Sequence, residues 1–284
     1  MEESKPSRTA LRVAISRARH QALDCPVVFE DPLALAILGP EGPQMLQRVG
    51  DDKVEARIDP RLRASVAARS LLAEEELARA TGKGVDQYVL LGAGLDTFAW
   101  RNSYPVDSLK LFEVDHPATQ AWKRELLAGA GLLLPGNLTF TPVDFERQTL
   151  EEGLRAAGFD PRRPAFFSWL GVTPYLAEEA IYTTLGFIGG SASGSAVVFD
   201  YMPDPLLFDE EQRRAFDFLS KRVASAGEPW KASFIPAELC AKLKALGFTR
   251  VADLAPTDLN KRYFAGRSDG LGVGGLSHLM VAEV

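Results

Sequence analysis

The chain has 284 residues, 46% of them hydrophobic and 25% charged, so it can bury a sizeable core as one large domain. A net charge of −6 argues against nucleic acid as a partner, because phosphate binding needs a basic face. Cys25 and Cys240 lie far apart, and His20, His116 and His278 show no ligand-like spacing. Neither a disulfide framework nor a metal is therefore expected.

Residues 7–23 read as an amphipathic helix, with Leu11, Ala14, Ile15 and Ala18 at helical spacing and Arg8, Arg12, Arg17 and Arg19 elsewhere on the cylinder. Most of these arginines fit a solvated face, and the sharper reading has one of them meeting an anionic ligand group. Asp31-Pro32 signals a short apolar helix ending near Gly39. Asp59-Pro60 signals another, with Asp59 as N-cap, running through Leu62, Val66 and Leu72 to Gly82-Lys83-Gly84. Residues 1–84 thus form a helical attachment, and residues 85–284 the rest of a single domain.

From residue 86 strands and helices alternate, which predicts βαβ units and a parallel sheet. The expected strands are 87–91, 109–114, 138–143, 165–170, 196–201, 249–254 and 277–284. A long helix is expected over 205–226 and another from Pro236 to Gly247. No apolar run approaches the roughly 18 residues that span a bilayer. The acidic start lacks a signal peptide's apolar core, so a cytoplasmic protein with no membrane partner is expected.

The carboxyl ends of the strands carry the chemistry. Gly92-Ala93-Gly94 follows the first strand, and such a turn is where open α/β sheets bind nucleotides. Thr97 stands where a dinucleotide fingerprint would want its third glycine, which counts against an NAD-dependent oxidoreductase. The second strand ends in Glu113-Val114-Asp115-His116-Pro117, where a carboxylate can hold ribose hydroxyls while its neighbour caps the next helix. Asp144-Phe145 ends the third, suited to an adenine amino group and ring or to an ordinary N-cap. The fourth ends in Ser168-Trp169-Leu170-Gly171-Val172-Thr173-Pro174-Tyr175.

Taken together, "VLLGAGLDTFAWR", "FEVDHPATQAWKRELL", "VDF", "SWLGVTPYL" and "RYFAGRSDGL" resemble the leucine carboxyl methyltransferase-like family of S-adenosylmethionine-dependent O-methyltransferases. The likeness extends to the N-terminal "RTALRVAISRARH" and is greatest to the bacterial small-molecule branch. It implies the class I methyltransferase (Rossmann-like) fold, an α/β seven-stranded mostly parallel sheet with helices on both faces and the last strand antiparallel. It implies S-adenosyl-L-methionine as cofactor and a small-molecule methyl acceptor bearing a carboxyl or hydroxyl oxygen. By the same resemblance Arg69 meets the methionine carboxylate, Gly92 and Gly94 approach the sulfonium portion, Asp115 and Glu113 hold the ribose, and Asp144 with Phe145 takes adenine. Arg17 or Arg19 would supply a second carboxylate contact.

Protein-methylating members carry a glutamate where this chain has Leu170, which weakens the alternative of a protein C-terminal carboxylate as acceptor. A non-catalytic cofactor-binding module is the other alternative. A carboxylate acceptor needs no general base, whereas a hydroxyl would, with Tyr175, Asp200 or His116 as positional candidates. The acceptor is expected against Tyr175, Tyr201 and Arg262, with the glycine-rich segment around Gly266 to Gly275 as a lid.

Overall fold

The computed structural model describes residues 7–47, 53–144 and 148–284, and for residues 53–58 the backbone alone. The N-terminal attachment contains α1 (Arg8–Leu23), a 3-10 turn at Ala36–Leu38, α2 (Gly42–Gln47) and α3 (Lys53–Thr81). Next come β1 (Gln87–Leu91), α4 (Phe98–Arg101), β2 (Lys110–Asp115), α5 (Pro117–Gly129), β3 (Leu138–Pro142), α6 (Leu150–Ala156) and β4 (Phe166–Trp169). The chain continues through α7 (Glu178–Gly189), β5 (Ala196–Tyr201), α8 (Glu210–Ser225), α9 (Pro236–Ala245), β6 (Arg250–Leu254), α10 (Pro256–Tyr263) and β7 (His278–Glu283).

The seven strands form one sheet in the order β3-β2-β1-β4-β5-β7-β6. Every pairing is parallel except those of β7, which runs antiparallel to β5 and to β6. The central strands β1, β4 and β5 are buried along their whole length because helices cover both faces. In β1, Val89 and Leu91 enter one core with α6, α7 and α9, while Tyr88 and Leu90 enter a second with α3, α4 and α10. A third cluster joins Ala14 and Ala18 of α1 to Ile37, Leu38 and Leu127 of α5. Thus α1 packs on the sheet domain.

Two helix starts differ from expectation. Helix α3 begins at Lys53 and carries Pro60 inside it, so Asp59-Pro60 is no N-terminus. Asp59 instead accepts from Arg19 and Arg63. The expected 205–226 helix is two elements, a 3-10 turn at Pro205–Leu207 and then α8, whose N-cap is Asp209. Asp209 and Gln212 form a reciprocal capping box, which fixes the later start.

Candidate active site

Gly92, Asp115, Asp144, Gly171 and Asp200 stand at or just beyond the carboxyl ends of β1, β2, β3, β4 and β5. They therefore form one row across the sheet edge.

The loop after β1 is shaped by Gly92 and Gly94, with φ of 64° and 49°. Those angles are open to glycine and strained for side chains. A Cβ on Gly92 would stand 2.3 Å from Val172 Cγ2, and one on Gly94 3.1 Å from Ala10 Cβ. Gly92→Ala should therefore cost about 2 kcal/mol, combining a strained φ with overpacking, read as a shifted urea midpoint. An unchanged midpoint would contradict this account of the loop.

Asp115 binds that loop from β2. Its Oδ2 accepts from Gly94 N at 2.6 Å and its Oδ1 from His116 N at 2.7 Å. Burial raises its pKa, and these two backbone donors oppose the rise. The N-cap of α5 is His116, whose Nδ1 accepts from Ala118 N at 3.2 Å. The cap expected of a carboxylate thus falls to the histidine, leaving Asp115 turned toward the glycine loop.

Glu113 does not join the row. It is fully buried beneath it, and Lys123 Nζ donates to its Oε2 at 2.6 Å. Lys123 is equally buried, so each charge has the other as its partner inside the fold. Burial raises the Glu113 pKa to about 7; Lys123 pulls it down, while Asp96 and Asp115 push it up. Glu113 and Asp115 lie two residues apart on β2, and the deeper of the two positions belongs to the core rather than the cleft.

Arg69, on α3, donates to Asp200 Oδ2 at 2.7 Å. The other oxygen of Asp200 accepts from Gly171 N at 2.6 Å. Arg69 is therefore fixed at the ends of β4 and β5, and one Asp200 bond leaves a five-donor guanidinium room for a second anion. Asp144 follows β3 in the same row, and its expected partner Phe145 lies outside the described residues.

Arg17 and Arg19 take other roles. Arg17 donates to Asp31 at 3.3 Å, to Asp96 at 3.0 Å and to Ser70 at 3.4 Å. Arg19 donates to Asp59 at 3.1 Å and to the Met45 carbonyl. Burial alone would raise the Asp96 pKa, but Arg17, then Arg101 and Lys123, outweigh it and hold it at about 2. Thr97 has its own reason not to be glycine. Its hydroxyl donates to Asp31 at 2.7 Å and accepts from Arg101 at 3.0 Å. No local pattern in the sequence points to this network, which joins α1, the Asp31 turn and the segment from Asp96 to Arg101.

The substrate-side expectations need two corrections. Tyr201 points to the opposite sheet face from Asp200, is fully buried, and donates to Asp253 at 2.9 Å. Arg262 donates to Glu75, six residues beyond Arg69 on α3 and so about 9 Å further from the strand ends. Both side chains are used in holding elements together. Tyr175 ends a 3-10 turn, Thr173–Tyr175, directly after the β4 loop. The glycine-rich segment is tied down by Arg267 to the Pro26 carbonyl, by Asn260 to Val273 and by Gln212 to Gly275.

These residues fit the expected cofactor. A glycine-shaped loop after β1, an acid beside it at the end of β2, a second acid just beyond β3 and the Arg69 guanidinium at the ends of β4 and β5 lie along one sheet edge. Among the described residues no cluster of histidine, cysteine, aspartate or glutamate could hold a metal ion, and no helix is long and apolar enough to cross a membrane.

The strand order, with β7 antiparallel between β5 and β6, defines a class I methyltransferase fold. The chain belongs to the leucine carboxyl methyltransferase family, whose model matches residues 10–189. It is 33% identical over 291 residues to the candidate S-adenosyl-L-methionine-dependent methyltransferase YktD of Bacillus subtilis, covering 95% of each chain. A candidate methyltransferase of the same description from Mycobacterium avium is 32% identical over 230 residues, covering 78% of this chain and 71% of its own. In fold the chain is similar to a candidate methyltransferase of Thermobifida fusca, with a TM-score of 0.57 at 18% identity, covering 99% of this chain and 96% of that one.

Proposed function

We propose that the chain is an S-adenosyl-L-methionine-dependent O-methyltransferase acting on a carboxylate of a small-molecule acceptor. Family membership supports methyl transfer and the cofactor, and the acceptor follows from how the candidate bases are engaged. Asp200 accepts from Arg69 and Gly171, and His116 Nδ1 accepts from Ala118. Tyr175, the third positional candidate, closes the 3-10 turn after the β4 loop. A carboxylate acceptor is already ionised and needs none of them. That engagement of Asp200 and His116 is the observation that carries the reading.

The cofactor supplies an electrophilic methyl group for in-line displacement. The chain's own residues bind and align it. Asp115 would accept from the ribose, Asp144 would accept from the adenine amino group, and Arg69 would hold the carboxylate beside Asp200. Val172, packed on Gly92, closes the loop from the β4 side. Leu170, at the end of β4, packs with the apolar core and offers no polar group to a peptide terminus. The exposed free thiol of Cys25 suits a reducing, cytoplasmic setting.

Incubating the protein with methyl-labelled cofactor and a size-fractionated bacterial extract tests the proposal. Label is expected in the small-molecule fraction and released as methanol by mild alkali, as an ester requires. Alkali-stable label would indicate a hydroxyl acceptor. Label confined to protein would favour C-terminal carboxyl methylation, the second reading suggested by the family's description.

A further inference from the structure

The short segment between α8 and α9 joins two parts of the site that the sheet itself does not connect. Glu228 reaches the N-terminus of α1, where its Oε1 accepts from Ser7 Oγ at 3.2 Å and its Oε2 from Thr9 N at 3.0 Å. The Thr9 hydroxyl donates to the same Oε2. Three residues later, Lys231 N donates to the Pro174 carbonyl at 2.6 Å, and Ala232 N to the same oxygen at 3.3 Å.

Both anchors adjoin the glycine loop. On one flank Ala10, next to Thr9, packs against Gly94, and Ser7 N donates to Thr119 Oγ1 in the first turn of α5 at 3.5 Å. On the other, Val172, two residues before Pro174, packs against Gly92. Five residues of extended chain reach at most about 18 Å, so residues 228–232 bridge the two flanks directly. They form a strap across the end of the row that carries Gly92, Asp115 and Gly171.

The strap is fastened at its ends and weakly supported behind. Helix α8, which leads into it, buries only Val223 among its 16 residues. Gly227, immediately before Glu228, has a φ of 84°, a turn that glycine adopts without strain. Elements with so little buried apolar surface open well before the fold as a whole. The Glu228 carboxylate, by contrast, makes charge-assisted bonds to a helix N-terminus, which the helix dipole favours. Closure on the α1 side is therefore concentrated in one side chain.

We propose that Glu228 is a positioning residue that latches this strap shut over the cofactor row, and that its release from Ser7 and Thr9 gates the exchange of S-adenosyl-L-methionine and S-adenosylhomocysteine. That role rests on the placement of the cofactor along the sheet edge and is independent of which acceptor is methylated. A residue that only shapes the site changes affinity through dissociation. A latch acts differently: where ligand enters and leaves through the open form, a larger open fraction raises both rate constants together.

Stopped-flow binding of S-adenosylhomocysteine to the intact protein, followed by tryptophan fluorescence, tests it. Trp230 lies within the strap and stacks on Phe216 of α8, with 5.6 Å between ring centroids. In Glu228→Ala the association and dissociation rate constants should both rise about tenfold or more, while their ratio changes by less than roughly threefold. Glu228→Gln keeps an oxygen for Thr9 N but loses the charge, so it should fall between wild type and Glu228→Ala. Thr9→Ala should move both constants in the same direction. The double variant should gain less than the product of the single effects, because both substitutions break one contact. Faster dissociation with unchanged association would make Glu228 a structural support and overturn the latch, as would wild-type rate constants in both single variants. Absence of S-adenosylhomocysteine binding by the wild-type protein would overturn the latch together with the cofactor placement, an outcome told apart because it needs no variant.

Discussion

S-adenosyl-L-methionine at one hundred times its dissociation constant should raise the melting temperature by about 5 °C or more, and Asp115→Ala should abolish nearly all of that rise. Ligand at that excess stabilises the native state by about 2.7 kcal/mol, and a chain of this size shifts by roughly 2–4 °C per kcal/mol. Asp115 stands beside Gly94, with oxygens able to accept from ribose hydroxyls as well as from the backbone. Hydrogen bonds to a charged acceptor are worth about 1.5–3 kcal/mol each, so losing two weakens binding about a hundredfold or more. At the same concentration the variant then gains only about 0.4 kcal/mol from ligand. Asp115→Ala also frees Gly94 N and His116 N, so its melting point without ligand should fall. The comparison must therefore be of shifts, not of melting points. A wild-type protein with no shift at saturating ligand would remove the cofactor assignment, and a full shift in the variant would remove Asp115 from the site.

The sheet was legible in the sequence because its strands are short apolar runs bounded by glycine, proline or polar residues. β1 and β5 fall on the expected residues, and the other five lie within one or two of theirs. Strand-end chemistry was legible for a related reason: the residue after an apolar run must leave the sheet, so Gly92 and Asp115 announce themselves by position. What periodicity reports is a face, and it says nothing of depth or partner. Glu113 and Asp115 share a face, yet the first meets Lys123 across the strand-to-helix turn and the second meets backbone. Tyr201 could be assigned to Asp253 and His278 only once β7 was seen between β5 and β6. Asp59-Pro60 misled because a local start signal was outweighed by two arginines that use the same carboxylate, Arg19 of α1 and Arg63 one turn further along α3. The network joining Arg17, Asp31, Asp96 and Arg101 spans three separate segments, and no local pattern encodes it.

Lys123→Met should destabilise the protein by about 3–5 kcal/mol at pH 8 and by clearly less at pH 5, read from urea unfolding at both values. Removing one member of a buried ion pair leaves the other charge without compensation, which accounts for the size of the loss. The pH dependence follows from Glu113, whose folded-state pKa is raised from 4.5 to about 7. Between those values the folded state holds a proton that the unfolded state has released, so stability falls as pH rises. This contribution is fully present below pH 4.5 and is lost as pH passes 7; a shift of that size corresponds to about 3 kcal/mol. Lys123 is what limits the penalty when Glu113 is ionised, through a 2.6 Å bond between two buried side chains. Without it the carboxyl is driven further toward its neutral form, and the cost of ionising it at pH 8 rises. At pH 5 the protonated carboxyl is accommodated in either protein, so the variant loses mainly the packing of the lysine stem and its contact with Trp100. Glu113 also anchors α5 to β2, since its carbonyl accepts from Gln120 at 2.7 Å. A loosened pair should therefore disturb the turn that carries Asp115 and His116, and cofactor affinity in the variant should weaken more at pH 8 than at pH 5. Equal destabilisation at the two pH values would show that Glu113 remains ionised in the fold throughout, and the account of the buried pair would fail.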